Sequence, residues 1–558
     1  MKLNGAQIIC KLLERQGIRV LSGIPGGAIL PLYDALYDSP LRHILARHEQ
    51  GSGFIAQGMA RVTGRAAVCL GTSGPGATNL LTAIADAKLD SVPLVAITGQ
   101  VARGLLGTDA FQEVDTFGLT LPITKHSFMV MRTEDLLDVI PRAFAIAESG
   151  RPGPVVVDVP KDVFLGECEF EEWPEPGSAS KPEPCAPDQI ASVVELIQNA
   201  KRPVLYIGGG VIGSDAGGMV VELAEKIGAP VACTLMGLGA IPYDHPLALG
   251  MLGMHGAPFT NYVLDEADLL VAIGARFDDR ATGLASRFCE HASIIHIEVD
   301  PCEIHKIKPA NFAIAADARQ ALTQLLPEVR SQDRSAWLGR VCELRAAHPM
   351  VIPSGGTNHH PLSFCKILGE VLPPDAIVTT DVGQHQMWMA QGFPVQRPRS
   401  FLTSGGLGTM GFGLPAAVGA ALAAPGRRVV CVSGDGSILM NVQEMATLAE
   451  LNLDVTIVIL NNGRLGMVRQ QQELFYRGRY QASVFDAQPD FAAMARAFGL
   501  RASDLDPSCD LHSALSDAVS QPGPCLLNLP INPEENVYPI VPPGAANTEM
   551  IGIKGQNG

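Results

Sequence analysis

Arg428-Val429-Val430-Cys431-Val432-Ser433-Gly434-Asp435-Gly436-Ser437 and Val455-Thr456-Ile457-Val458-Ile459-Leu460-Asn461-Asn462 are the stretches from which the fold can be read. Each is a short apolar run, rich in β-branched residues, that stops at an Asp or Asn. Runs of this kind, bounded by turn residues, suit buried strands of a parallel sheet. Two such strands side by side deliver Asp435 and Asn462 together at their carboxyl ends, where open α/β sheets bind ligands. Asp and Asn oxygens with one backbone carbonyl suit Mg²⁺, a hard ion that keeps its other positions for water and phosphate oxygens. Gly434 and Gly436 let the backbone come close to a phosphate group. Gly-Asp-Gly alone is also ordinary turn chemistry. The paired strand ends and the later Asn-Asn make the metal–phosphate reading the stronger one.

The bulk composition fits a large folded protein. A chain of 558 residues predicts three or four domains. Hydrophobic residues make up 47% and charged residues 18%, which excludes a disordered chain and permits large cores. The net charge of −16 argues against a nucleic-acid or anionic-membrane surface. An anionic ligand must then be held by metal, backbone amides and a few local cations. The 12 cysteines are scattered without a C-x-x-C pair, and Cys69, Cys233 and Cys431 sit in apolar segments, which points to reduced thiols. The N-terminus carries no signal or transit-peptide pattern, and no 18-residue apolar run is free of polar residues. The expectation is a soluble, cytoplasmic protein.

Helical patterns alternate with short apolar strands along the chain, the mark of βαβ units. The fold class expected is α/β, with three doubly wound, mostly parallel-sheet domains. Residues 1–165 form the first, and a Pro- and Glu-rich stretch at 166–187 reads as a linker that packs little. A second domain covers 188–330, a polar connection 331–358, and a third domain 359–535. The tail, 536–558, is too rich in Pro and Gly for a helix. Pro522-Gly523-Pro524 and the strand after it echo Pro152-Gly153-Pro154, so the first and third domains look related. His359-His360 reads as a domain boundary.

Arg47-His48-Glu49-Gln50-Gly51 follows a short strand and opens an apolar helix. In isolation, Glu49 there is a helix-start carboxylate that favours the dipole. The motifs together change that reading. Gly23-Ile24-Pro25-Gly26-Gly27, Arg47-His48-Glu49-Gln50, Thr72-Ser73-Gly74-Pro75-Gly76-Ala77-Thr78-Asn79 and Gly107-Thr108-Asp109-Ala110-Phe111-Gln112-Glu113 come first. Gly274-Ala275-Arg276-Phe277-Asp278-Asp279-Arg280, Asp381-Val382-Gly383-Gln384-His385 and residues 403–415 follow in order. As a set, with the Gly434 turn, they resemble the large catalytic subunit of acetolactate synthase (acetohydroxyacid synthase), of the bacterial isozyme I type. The resemblance covers nearly the whole chain.

The resemblance implies thiamine diphosphate, Mg²⁺ and a non-redox FAD. The activity it implies is decarboxylation of pyruvate and transfer of the remaining two-carbon unit to a second 2-ketoacid. Pyruvate gives 2-acetolactate and 2-ketobutyrate gives 2-aceto-2-hydroxybutyrate, in branched-chain amino-acid synthesis. Glu49 becomes the carboxylate at N1′ of the cofactor, which needs a dry pocket that raises its pKa. Asp435 and Asn462 become Mg²⁺ ligands with the carbonyl of Arg464. Gln384 and His385 contact the diphosphate, with Gly26, Gly27, Gly408, Gly434, Gly436 and Ser437 on the cofactor side. Met410 is the bulky apolar residue that supports the bent cofactor. Phe111, Gln112, Lys161 and Arg280 line the substrate side, Arg280 as a carboxylate clamp. The plain alternative for Lys161 is a solvated charge after a strand.

In the middle domain Gly208-Gly209-Gly210-Val211-Ile212-Gly213 fits G-x-G-x-x-G after a strand, which a strand-to-helix turn explains about as well. No acidic residue closes a second strand at the spacing of a ribose contact, so a nicotinamide site is not expected. The resemblance places FAD here, against Gly208, Gly209, Gly210, Thr234, Leu235, Met236, His255, Arg276, Asp278, Glu298 and Asp317. Arg151 is counted on the cofactor side, although bracing of the Pro152 turn suits it better.

The resemblance further implies a homodimer or dimer of dimers with active sites at the interface, and a small regulatory subunit. The tail at 541–550 is the candidate lid. Gln471 stands where most of the resembling proteins carry Trp, which predicts weak discrimination between pyruvate and 2-ketobutyrate. Rival readings are an FAD-dependent pyruvate oxidase, an FAD-free catabolic acetolactate synthase, and a non-catalytic scaffold. Intact Glu49, Asp435 and Asn462 argue against the last.

Overall fold

The computed structural model describes residues 1–350 and 360–552. The end of the second connection, with His359, and the last tail residues lie outside the described residues. Three six-stranded sheets carry the fold, and every pairing within them is parallel. In chain order the first unit has β1 (Lys2–Asn4), β2 (Val20–Gly23), β3 (Arg42–Leu45), β4 (Ala67–Gly71), β5 (Leu94–Gln100), β6 (His126–Met129), β7 (Pro154–Pro160) and β8 (Glu167–Glu169). The middle unit has β9 (Pro203–Ile207), β10 (Val231–Cys233), β11 (Ala248–Met251), β12 (Leu269–Ile273), β13 (Ser293–Glu298) and β14 (Phe312–Ala315). The third has β15 (Ile377–Thr380), β16 (Phe401–Leu402), β17 (Val429–Gly434), β18 (Val455–Asn461), β19 (Arg501–Asp504) and β20 (Cys525–Pro530).

The apolar runs form strands because helices cover both faces and leave β4, β5, β7 and β17 fully buried. The first sheet runs β3-β2-β4-β5-β7-β6 and the third β16-β15-β17-β18-β20-β19. The two are wound alike, and β7 and β20, which carry the echoing Pro-Gly-Pro turns, hold the same place in each. The middle sheet runs β11-β10-β9-β12-β13-β14, an order in which both halves wind outward from β9 and β12.

The first and third units share one core. The helix Glu49–Thr63 packs on the helix Gly413–Ala423, with Ile55, Met59, Leu414 and Val418 in one apolar cluster. The two backbones touch: a Cβ on Gly58 would lie 2.2 Å from the Ala416 carbonyl oxygen, and one on Gly419 2.0 Å from that of Ile55. Glycine at both places fixes the start of the Glu49 helix against the third unit.

Both connections differ from the expectation. Part of the first is a strand, β8, antiparallel to β1. Phe170 and Trp173 pack on the first core, and Gln16 exchanges two hydrogen bonds with Gly177 at 2.6 and 2.9 Å. Pro and Glu denied this stretch regular structure, yet its few aromatic residues anchor it. The second contains the helix Ser335–Ala347, which buries Trp337, Val341 and Leu344 on the middle unit. A single narrow apolar face made it read as polar. The described part of the tail, 536–552, forms no helix, but it is well packed. Ile540 bridges Ile551, the Val541 N–H donates to the Met254 carbonyl at 2.9 Å, and Val541 and Met550 are buried. Among the described residues, no helix is long and apolar enough to cross a membrane.

Candidate active site

The third sheet reverses its winding direction between β15 and β17, and their carboxyl ends open a cavity there. Gln384, His385, Met410, Gly434, Asp435, Gly436, Ser437, Asn462 and Arg464 all line it. Nine of the residues singled out in the sequence are thus brought together.

Asp435 starts the short helix Asp435–Ile438 and is 2% exposed. Its Oδ2 accepts from the Arg464 backbone N–H at 3.1 Å and from the Gln488 side chain. Asn462 Oδ1 accepts from that same N–H at 3.2 Å, so the two side-chain oxygens converge. Burial pushes the Asp435 carboxyl up to about 6, although its hydrogen-bond donors pull it down. A buried carboxylate with an amide oxygen beside it is stabilised by a cation. The donors are hard oxygens with one negative charge, which fits a Mg²⁺ shared with a diphosphate rather than held in an all-protein cage. Consistent with that, no group of three or more His, Cys, Asp or Glu side chains forms a metal cage among the described residues.

His385 is buried beside Gly434, where an added Cβ would lie 2.9 Å from His385 Nδ1. Burial pushes the His385 pKa down to about 3, so the ring is neutral, and its Nε2 has no partner. An orphaned polar atom on a cavity wall fits a phosphate oxygen. Gln384 acts differently. Its Oε1 accepts from Asn462 Nδ2 at 3.0 Å, while its Nε2 donates to Gln470 Oε1 at 2.9 Å and to the Glu535 carbonyl at 3.0 Å. The Gln384 side chain therefore orients Asn462, and Gln470 orients Gln384.

Glu49 is the first residue of its helix, whose start is capped by His48 Nδ1 accepting from the Gln50 N–H at 3.1 Å. Asn79 Nδ2 donates to Glu49 Oε2 at 2.9 Å. On the third unit's side, Glu444 Oε1 accepts from the Arg47 N–H at 2.9 Å and the His48 N–H at 3.2 Å. Glu49 does not line the cavity that holds Asp435 of its own chain.

The other candidate residues of the first unit follow the carboxyl ends of β2, β5 and β7. Gly26 presses on Thr72, where an added Cβ would lie 2.5 Å away, and Gly27 lies in open space next to it. The 107–113 loop is pinned by Glu113, which accepts from the N–H groups of Gly107, Thr108 and Ala110. Within it Gln112 has φ +60 and Phe111 is 89% exposed. Lys161 is exposed directly after β7, where its plain reading placed it. Arg280 lines a separate recess with Met254, Asp279, Gly283 and tail residues 541–544. Gly408 is exposed on the loop before Met410.

The residues matched to FAD lie at the carboxyl edge of the middle sheet. Gly208–Gly210 follow β9, Thr234–Met236 follow β10, Arg276 and Asp278 follow β12, Glu298 ends β13, and Asp317 follows β14. This is the switch point of a strand order suited to a dinucleotide, so position fits. Several of these residues also have a local task. A Cβ on Gly208 would lie 2.1 Å from the Gly274 carbonyl oxygen, and Asp278 and Asp317 cap helices. His255 meets the Pro539 carbonyl through Nδ1 at 3.1 Å. Arg151 donates to Asp300 at 3.2 Å and Glu303 at 2.9 Å, bridging the first and middle units.

Asp381 stands in a quoted motif without a role of its own, and Gln470 and Gln488 carry no role in the sequence reading. An acid closing the apolar run of β15 was a readable signal for Asp381. The two glutamines carry none, because their partners lie on distant segments.

This fold and site define a thiamine pyrophosphate enzyme. Residues 3–119 match its N-terminal TPP binding domain, 190–325 its central domain, and 381–529 its C-terminal TPP binding domain. The acetolactate synthase isozyme 1 large subunit of Escherichia coli (strain K12) is 54% identical, over 99% of this chain and 98% of that one. The isozyme 2 large subunit of the same organism is 47% identical over 98% and 99%. An acetolactate synthase of Mycobacterium bovis is 44% identical over 99% and 92%. The chain belongs to the acetolactate synthase large-subunit family.

Proposed function

We propose that the chain decarboxylates pyruvate and joins the two-carbon unit to a second pyruvate or to 2-ketobutyrate. The observation that carries this is the convergence of Asp435, Asn462 and the unpartnered His385 nitrogen at the β15/β17 switch point. Bound thiamine diphosphate supplies the electron sink that makes loss of CO₂ feasible. Asp435, Asn462 and the Arg464 carbonyl would hold Mg²⁺ for the diphosphate, and His385 would offer its unpartnered nitrogen to it. Met410 supports the cofactor from its loop. Glu49, oriented by Asn79, is the carboxylate that would hold a proton at N1′ of the bound cofactor. Gln112, Lys161 and Arg280 serve the substrate side, with Arg280 gripping the acceptor's carboxylate. The site must exclude protons from the two-carbon unit, which would otherwise leave as acetaldehyde.

Glu49 does not line the Asp435 cavity of its own chain, which supports a site completed by a second chain in a homodimer. The middle unit carries a non-redox FAD along its carboxyl edge, and a small regulatory subunit joins the assembly. The packed tail beside Arg280 supports a closing role for 541–550. Gln471, exposed on the helix Gly466–Phe475, leaves little apolar surface for the extra methyl of 2-ketobutyrate. Acetolactate formation by the purified chain, with thiamine diphosphate, Mg²⁺ and FAD omitted in turn, tests this reading. Loss without the first two is expected. Flavin turnover with oxygen or a quinone, without acetolactate, would favour an oxidase instead.

A further inference from the structure

The loop at 403–411 (Thr403-Ser404-Gly405-Gly406-Leu407-Gly408-Thr409-Met410-Gly411) has four glycines in nine residues. Gly408 and Gly411 have φ of +67 and +93. Such a segment has high backbone entropy and no ladder of its own, so its shape must be imposed from outside. Two sets of bonds impose it. On the far side of Met410, the Gly411 N–H donates to Asp381 at 2.7 Å, and Asn441 donates to the Gly411 carbonyl at 2.8 Å. On the near side the partners come from the first unit. Asp90 accepts from the Gly405 N–H at 3.0 Å and the Gly406 N–H at 2.7 Å. Asp86 Oδ1 accepts from the Thr409 hydroxyl at 3.0 Å and from the Ser404 hydroxyl, and Ser404 Oγ in turn accepts from the Thr409 N–H at 2.8 Å.

Both carboxylates are fully enclosed, and among the described residues Arg61 is their one counter-ion, 3.3 Å from Asp86 and 2.8 Å from Asp90. Arg61 also lies over the Phe412 ring, 4.9 Å from its centroid. Two buried carboxylates sharing one guanidinium are a poor source of stability, since apolar packing serves as well or better. What they provide is direction: four acceptor contacts fix where the loop runs.

We propose that Asp86 and Asp90 are positioning residues, which fix the 404–411 loop from the first unit and through it the Met410 side chain. This rests on the reading of Met410 as the support of the bound cofactor. The test uses the full chain as Thr409→Val, which removes one hydroxyl without changing shape, and as Asp90→Asn. Three quantities are measured: amide exchange of the 404–411 peptide, the thiamine diphosphate dissociation constant with Mg²⁺, and kcat against KM for pyruvate. Exchange about tenfold faster, cofactor affinity about fivefold weaker and kcat about tenfold lower are expected, with KM within about twofold and Tm within about 3 °C. Folded variants with unchanged exchange and cofactor affinity would overturn the proposal. Faster exchange and weaker cofactor binding in a chain that makes no acetolactate would uphold the positioning role and overturn the reaction instead.

Discussion

The Arg464 backbone N–H donates to Asp435 Oδ2 at 3.1 Å, tying the turn after β18 to the end of β17. That bond places the Asp435 carboxylate and the Asn462 amide oxygen around one point. Asp435→Ala removes the only charged group of the set. Mg²⁺-dependent binding of thiamine diphosphate should weaken by about 100-fold or more. Titration calorimetry with and without Mg²⁺ reads this directly, and unchanged affinity would remove Asp435 from the metal site.

Gly58 and Gly419 hold the Glu49 helix against the third unit by direct backbone contact. Gly58→Ala inserts a methyl group where the Ala416 carbonyl stands. The expected loss of stability is about 1–3 kcal/mol, with lower activity from a displaced Glu49. Denaturant unfolding checks it; a gain in stability, as for a helix Gly replaced by Ala without a clash, would show that the helices can part.

His255 joins the tail to the middle unit through the Pro539 carbonyl. Burial, first, pushes its pKa from the ordinary 6.5 down to about 4. Between those values the unfolded chain takes up a proton that the folded chain refuses. The contribution is therefore complete above pH 6.5 and is lost as the pH falls towards 4. In His255→Asn, which cannot titrate, the stability difference from wild type should shrink by about 2 kcal/mol on going to about pH 5. A difference that stays constant with pH would contradict the buried neutral ring.

On the proposed reading, Gln471→Trp would add apolar surface on the acceptor side. The ratio of 2-aceto-2-hydroxybutyrate to 2-acetolactate in a competition assay should rise about fivefold, on the order of 1 kcal/mol for the added methyl contact. A strong 2-ketobutyrate preference already present in wild type would refute the role given to Gln471.

Strand periodicity made the three sheets legible, and Gly434-Asp435-Gly436 with Asn462 made the diphosphate end of the site legible. Both signals are local. The helix Ser335–Ala347 was lost because three apolar residues on one face do not outweigh a polar run. Asp86, Asp90 and Gln470 escaped notice for another reason. Their partners lie 25 to 323 positions away along the chain, and no local pattern distinguishes a buried Asp on a helix from a solvated one. The separation of Glu49 from the Asp435 cavity is likewise a matter of how the units pack.

That separation leads to the central claim, that one site is built from Glu49 of one chain and Asp435 of another. Glu49→Gln and Asp435→Ala, each alone, should be nearly inactive, with kcat down by about 10²-fold or more. Unfolding and refolding an equimolar mixture of the two then makes mixed dimers, each with one intact pair. Recovery of about a quarter of wild-type acetolactate formation is the predicted result. A mixture as inactive as its parents, once mixed dimers are shown to form, would contradict the account.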